Sequence, residues 1–388
     1  MITLLSSLLI TDKDDTASQD VRKAYGVMCG AVGIFLNLCL FAGKFFAGFI
    51  SNSIAITADA LNNLSDAGSS FITLVGFQMA GQKPDIHHPF GHGRIEYISG
   101  FLVSIAIIFM GFELVKSSIG KIIHPETINS DPLVIGILIA SICVKLYMTF
   151  YNTSVGRKIE SAAMKATATD SLSDSLATLV VLISTLVCRF TSLNIDGWCG
   201  VAVGAFILYA GYSAAKDTIS PLLGQPPKKE FIEQVEALVT SHDGVLGIHD
   251  LIVHDYGPGR VMVSLHAEVD SRGNIMEIHD MIDNIEKELA KECHCEAVIH
   301  MDPILVNDPL TDSLHGRIES ILKTLDPSVK LHDFRVVPGP THTNIIFDVL
   351  LPFEFKMSDE EVVHYLQKRI HDIDDSYYGV IQVDKAYY

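Results

Sequence analysis

Hydrophobic residues fall along this chain in two regimes. From residue 24 to about 215 they form long runs, and beyond 229 they shorten and alternate with polar positions. A membrane-crossing helix needs about 20 mostly apolar residues. Six segments answer to that length: Ala24–Ile50, Ile54–Ala80, Ile95–Ile119, Leu133–Tyr151, Ala162–Arg189 and Trp198–Ala215. The first, third, fourth and sixth are strongly apolar. The second and fifth carry polar residues at helical spacing, and the fifth is the one that hydropathy alone would overlook. Gly224-Gln225-Pro226-Pro227 then breaks the chain. After it the pattern predicts a helix over Lys229–Ser241 and two strands, His249–Asp255 and Val261–Val269, turned through Gly257-Pro258-Gly259. A helix over Ile275–Cys293 and a strand over Glu296–Asp302 complete a small α+β sandwich of the ferredoxin-like kind.

That second pattern recurs. Ile248-His249-Asp250-Leu251 is echoed by Leu331-His332-Asp333-Phe334, and Gly257-Pro258 by Gly339-Pro340. Ala297-Val298-Ile299-His300-Met301-Asp302 is echoed by Gly379-Val380-Ile381-Gln382-Val383-Asp384. The expected organisation is an N-terminal segment (1–23), a six-helix membrane domain (24–223), a ferredoxin-like domain (228–303) and a second, diverged copy of it (312–388).

Composition sharpens this division. The chain is 48% hydrophobic with a mean hydropathy of +0.32 and a formal net charge of -18. Residues 1–225 hold 16 acids and 14 bases, whereas residues 226–388 hold 30 acids and 14 bases. A near-neutral apolar half is thus joined to an acidic half that suits cations and argues against nucleic acid, whose phosphates it could not neutralise. Among bases flanking the spans, Arg22, Lys23, Lys83, Arg94, Arg157, Lys158 and Lys165 mark one side, and Lys116, Lys121 and Arg189 the other. The positive-inside bias puts both termini in the cytoplasm of a multi-pass protein of the cell membrane. Met1–Ile10 is apolar but lacks a basic flank and is not read as a cleaved signal.

Cysteine usage suggests no disulfide framework. Cys29, Cys39, Cys143, Cys188 and Cys199 lie in or beside apolar runs, where a thiol behaves as a small hydrophobe. Cys293-His294-Cys295 lacks zinc-finger spacing and reads as structural.

Ionisable residues inside spans are costly and mark function. Asn62 and Asp66 in the second span, and Asp170 and Asp174 in the fifth, each have i,i+4 spacing and share a helix face. At 1.5 Å per residue Asp66 and Asp174 each lie roughly 20 Å from a helix end, so the pairs can meet near mid-membrane. Three carboxylates together in low dielectric need a cation, or protons once it leaves. That is the chemistry of a metal/proton exchanger. The bland alternative is capping or interhelical hydrogen bonding, which suits one Asp better than two matched pairs. Asp59 lies off the Asn62/Asp66 face and reads as structural.

Ser53-Ile54-Ala55 with Asp59-Ala60-Leu61-Asn62-Asn63-Leu64-Ser65-Asp66 resembles the second-span signature of the cation diffusion facilitator family. So does His88-Pro89-Phe90-Gly91-His92-Gly93-Arg94-Ile95-Glu96 in the following loop. The resemblance covers roughly residues 20–303 and implies a homodimeric metal/proton antiporter in the lipid bilayer that exports metal by alternating access. It places the transport site at Asn62, Asp66, Asp170 and Asp174. A carboxylate stands at 170 where zinc members usually have a histidine, which is similar to the manganese-type branch. Four oxygen donors likewise suit a hard ion such as Mn2+. The resemblance further implies a loop metal site at Asp85, His88 and His92, and a regulatory site at His249, His266, His279, His300 and Asp302. The latter, rich in imidazole, could hold Zn2+ or Mn2+. Two departures stand out. Arg94 could supply the base of a dimer-locking ion pair, but Gly224 stands where the acid is expected, with Asp217 as a substitute. The second repeat keeps His332, Asp348 and Asp384, but Gln382 replaces the equivalent of His300, the pattern of a decayed site.

The competing readings are a membrane-anchored cytoplasmic metal sensor, which would not need charges inside its anchor, and a channel, which would need a continuous polar pore. No nucleophile elbow or phosphate loop supports an enzyme. Within the family reading, a zinc or iron exporter is the alternative to manganese.

Overall fold

The computed structural model describes residues 2–10, 14–16, 18–50, 54–124, 132–191 and 196–386. It divides into two units. One comprises residues 1–225 with the 255–260 turn, and the other comprises 226–254 and 261–388.

The first unit is all helical: α1 (Ile2–Leu9), α2 (Gln19–Ile50), α3 (Ile54–Ala80), α4 (Ile95–Ile123), α5 (Pro132–Lys158), α6 (Ala162–Thr191) and α7 (Asp196–Ile219). Among the described residues, five stretches are long and apolar enough to cross a membrane: Gln19–Ala47, Ile95–Ile123, Ile135–Lys158, Ala162–Ser184 and Gly197–Ile219. The expectation that the 162–189 segment would escape hydropathy is therefore corrected. The segment that escapes is α3, whose 27 residues include Asn62, Asn63, Ser65, Asp66, Ser69 and Ser70. These polar side chains dilute its apolar length.

Close helix pairing rests on small residues. A side chain at Gly26 of α2 would lie 2.0 Å from the Phe77 ring of α3, and one at Gly200 of α7 would lie 2.1 Å from Ser118 Oγ of α4. Small contact residues let helix backbones approach where no hydrophobic effect between helices drives association. Tyr25, Met28, Phe77, Met148, Tyr151 and Ile159 form one apolar core, and Ile10 beside α1 joins it. Val103, Ile107, Ala166, Ile207 and Ala214 form another. Outward-facing Phe46, Phe49, Phe109, Phe150 and Tyr209 are well exposed, which suits surfaces whose solvent is lipid.

The second unit holds two small α/β modules. The first comprises α8 (Lys229–Thr240), β1 (Val245–Asp255), β2 (Val261–Asp270), α9 (Ile275–Glu292) and β3 (Cys295–Ile304), with sheet order β1-β2-β3. The second comprises α10 (Pro309–Leu325), β4 (Lys330–Pro338), β5 (Thr343–Pro352), α11 (Asp359–His371) and β6 (Tyr377–Ala386), with sheet order β4-β5-β6. The strands β2 and β3 run parallel, as do β5 and β6.

Alternation along β2 decides its faces. Val263, Leu265, Ala267 and Val269 are buried in the first module's core with Ile232, Val235, Ile285 and Leu289 of the two helices. His266 and Glu268 have the opposite parity and so point to the other face of the sheet. The second core is built alike from Phe347, Val349 and Leu351 of β5 with Ile318, Leu322, Val362 and Leu366.

Candidate functional site

The membrane cluster is built from three helices. Asp66 comes from α3, and Asp170 and Asp174 come from successive turns of α6; Asp66 and Asp170 are buried. A hydrogen bond between Thr73 Oγ1 and Thr167 Oγ1, 2.8 Å apart, joins α3 to α6. Ser175 Oγ donates to the Ile142 carbonyl of α5 at 3.4 Å. At the centre is a group the sequence reading missed. Lys145 of α5 donates from Nζ to Asp66 Oδ2 at 2.7 Å and to Asp174 Oδ2 at 2.6 Å, with its side chain 3% exposed. Lys145 lies about 20 Å from either end of α5 at 1.5 Å per residue. Its lone positive charge inside an apolar run was the signal available in the sequence. Lys44 of α2 is also buried and close enough to act electrostatically on Asp66.

Asn62 is exposed on α3. Its neighbour Asn63 is buried and donates to Asp66 Oδ2 at 3.4 Å, so the amide against the carboxylate is one residue from the position that i,i+4 spacing selects. The side chain of Asp59 lies outside the described residues.

The loop between α3 and α4 brings Asp85, His88 and His92 together, with one ligand atom of each within 4.8 Å of the others. Asp85 Oδ1 accepts from the backbone N–H groups of His87 and His88 at 2.8 and 2.7 Å. Those bonds, the one from His88 foremost, hold its carboxyl below the usual range. The His88 and His92 rings are 4.5 Å apart. His92 Nε2 faces Asp85 Oδ2 at 3.5 Å, while its Nδ1 is buried without a hydrogen-bond partner. Among the described residues of the single protomer, Arg94 makes no ion pair with Asp217. Its guanidinium donates to the Asp255 carbonyl at 2.6 and 3.1 Å, within the same unit. Buried Arg22 instead pairs with buried Glu96 at 3.1 Å, an ion pair between α2 and α4 that the sequence did not reveal.

On the first module's open sheet face, parallel pairing sets His266 opposite His300 and Glu268 opposite Asp302. Asp302 Oδ2 is 2.8 Å from His266 Nδ1 and 3.0 Å from His249 Nε2, and its Oδ1 is 3.3 Å from His300 Nε2. His249, His266 and Asp302 form a second group with ligand-like spacing. His249 has the same parity as core residue Leu251 and would point into the core in a regular strand. Asp250 between them has φ +50, and this left-handed residue interrupts the alternation. Both ring nitrogens of buried His249 lack a well-aligned hydrogen bond. Burial disfavours its charged form, yet Asp250 and then Asp302 outweigh burial and raise its pKa. The proposed ligand His279 lies elsewhere, exposed on α9 and acting on Asp283 of its own helix.

In the second module His332 pairs with Asp348 across β4 and β5, and Asp333, like Asp250, is left-handed, with φ +49. The His332 ring stacks on His249 at 5.9 Å. Burial pushes the His332 pKa down to about 4, helped by the nearby charge of His249. Among the described residues no metal-like group forms around His332, Asp348 and Asp384.

Residues 31–223 match the cation efflux transmembrane domain, and residues 227–304 match the cytoplasmic domain of cation efflux proteins. An uncharacterized transporter of Methanocaldococcus jannaschii is 33% identical over 267 residues, covering 69% of this chain and 94% of that protein. The chain belongs to the cation efflux family, the cation diffusion facilitators. The cation-efflux pump FieF of Salmonella arizonae is 28% identical over 295 residues, covering 74% of this chain and 96% of the pump. Protein p34 of Rickettsia prowazekii is 29% identical over 272 residues, covering 68% of this chain and 88% of that protein. The protein is thus a membrane transporter of divalent metal cations, with a helical membrane domain and a cytoplasmic α/β domain. Both family matches end before α10.

Proposed function

We propose that this cation efflux transporter exports Mn2+ in exchange for protons by alternating access through α3 and α6. The observation that carries the reading is the grouping of the Asp66, Asp170 and Asp174 carboxylates on α3 and α6, the first two buried, with Asp66 and Asp174 joined through Lys145. Carboxylates are hard oxygen donors, and such a set favours a hard ion over one that prefers imidazole or thiolate. Asp66, Asp170 and Asp174 are the proposed transport ligands, with Asn63, which donates to Asp66, in place of the expected Asn62, which is exposed on α3. Carboxylates left together when the metal departs favour proton uptake, which is the basis for antiport. In this reading α3 spans the membrane as the sixth crossing, and both termini face the cytoplasm.

Asp85, His88 and His92 would hold a second ion at the membrane surface. His249, His266, His300 and Asp302 would hold a regulatory ion in the cytoplasm, with His279 contributing only across a homodimer. Imidazoles there favour Zn2+ as readily as Mn2+. The second module is read as a diverged copy of the first, and the paired ferredoxin-like reading goes with it. Supporting this are the shared element order, the shared parallel strand pairing and the left-handed Asp at equivalent motif positions.

Initial uptake into proteoliposomes should be measured for manganese, zinc, iron, cobalt and cadmium, with and without a pH gradient. Manganese is expected to be fastest and to slow when the gradient collapses. Fastest uptake of zinc or iron would replace the assigned metal by the alternative exporter. Accumulation unaffected by loss of both pH and voltage gradients would remove the antiport. No uptake of any metal would favour a membrane-anchored sensor.

A further inference from the structure

A lysine whose ammonium cannot reach water is costly at mid-membrane. Lys145 is held there by carboxylates from two different helices, α3 and α6. We propose that Lys145 is a tethered counter-cation, seated between Asp66 and Asp174 in the metal-free transporter and displaced by the divalent cargo as it binds. The proposal rests on the reading of Asp66, Asp170 and Asp174 as the transport site.

Geometry makes the ammonium and the metal mutually exclusive. Nζ lies 2.7 Å from Asp66 Oδ2 and 2.6 Å from Asp174 Oδ2. Oxygen ligands approach hard divalent cations at about 2.0–2.6 Å, so an ion bridging those two oxygens needs the place that Nζ occupies. Charge supports an exchange. The three carboxylates and Lys145 together carry two negative charges, which one divalent ion balances without removing the lysine from the protein. A monovalent ion would leave the cluster under-neutralised, so the arrangement favours divalent cargo. A bound ammonium also eases release, because it returns to both carboxylates as the metal leaves.

A purely structural ion pair would hold the helices together and do no more, and buried pairs are poor stabilisers in any case. The two roles differ in their effect on metal affinity. Manganese uptake into proteoliposomes should be measured against Mn2+ concentration for wild type, Lys145→Met, Lys145→Arg, Asp170→Asn and the double variant Asp170→Asn with Lys145→Met.

Loss of the competing ammonium should lower the half-saturating Mn2+ concentration of Lys145→Met at least tenfold and reduce the maximal rate at least tenfold. Lys145→Arg, which keeps the charge, should stay within threefold of wild type in both. If three unbalanced carboxylates prevent Lys145→Met from folding, the double variant, compared with Asp170→Asn, carries the same expectation at wild-type net charge. An unchanged or raised half-saturating concentration in either comparison overturns the counter-cation. The two readings separate cleanly. If wild type takes up Mn2+ and Asp66→Ala does not, while the lysine comparisons show no tightening, only the lysine proposal fails. If Asp66→Ala transports like wild type, the transport-site reading fails.

Discussion

Asp66→Ala tests the membrane site most directly. It removes one of three clustered carboxylates and one of the two ion pairs of Lys145, at 2.7 Å. A divalent ion about 4 Å from a carboxylate charge gains about 8 kcal/mol of gross attraction at an effective dielectric of about 20. Desolvating the carboxylate offsets much of that, and a remainder of about 3 kcal/mol corresponds to a roughly hundredfold weaker site. The helix bundle should survive, because Lys145 keeps Asp174 at 2.6 Å and the Thr73–Thr167 hydrogen bond remains. The expected result is a fall of at least a hundredfold in initial Mn2+ uptake at sub-saturating metal. It should be measured in proteoliposomes holding equal amounts of monodisperse protein. Asp66→Asn, which keeps one neutral oxygen, should retain more than Asp66→Ala but remain well below wild type. Uptake by Asp66→Ala within threefold of wild type would refute the argument, since no buried ligand carboxylate can be removed so cheaply.

Other expectations follow from the remaining sites. Asp170→His replaces a hard carboxylate with an imidazole, so the manganese-to-zinc rate ratio should fall at least tenfold, and an unchanged ratio would undo the selectivity argument. Replacing His249 and His300 together with Ala should shift the metal concentration at which transport activates and leave residual transport; complete loss in a folded protein would contradict a tuning role. Asp348 is pushed up to about 6 by burial, then by the charges of Asp384, Asp333 and Asp250, from an ordinary value of 3.8. Its raised folded-state value means that stability present below about pH 3.8 is lost as pH rises through about 6. Asp348→Asn should therefore increase hydrogen-exchange protection of β5 at pH 7.5 relative to wild type, with the gain shrinking as pH falls below 6; a gain that persists undiminished at acid pH would show another cause.

Much of the architecture is legible in one dimension because its causes are local. Apolar runs of membrane length, period-two alternation in β2 and the Gly257-Pro258-Gly259 turn all act over a few residues, and the helices and strands of the first cytoplasmic module form within a few positions of where those patterns put them. The carboxylates of the membrane site are legible too, since charge inside an apolar helix is expensive wherever the helix packs. What folding decides is which faces meet. Lys145 is a lone charge in an apolar span, and only the packing of α5 against α6 sets its ammonium between Asp66 and Asp174. Periodicity selects Asn62 beside Asp66, whereas α3 turns Asn63 inward, because one residue is a rotation of about 100° and only the neighbouring helices define the inside. The histidines at 249, 266 and 300 are far apart in sequence and are gathered by strand register, with a left-handed Asp250 turning His249 out of the core. The stacking of His332 on His249 depends on how two modules of similar order pack together, and nothing local to either motif encodes that contact.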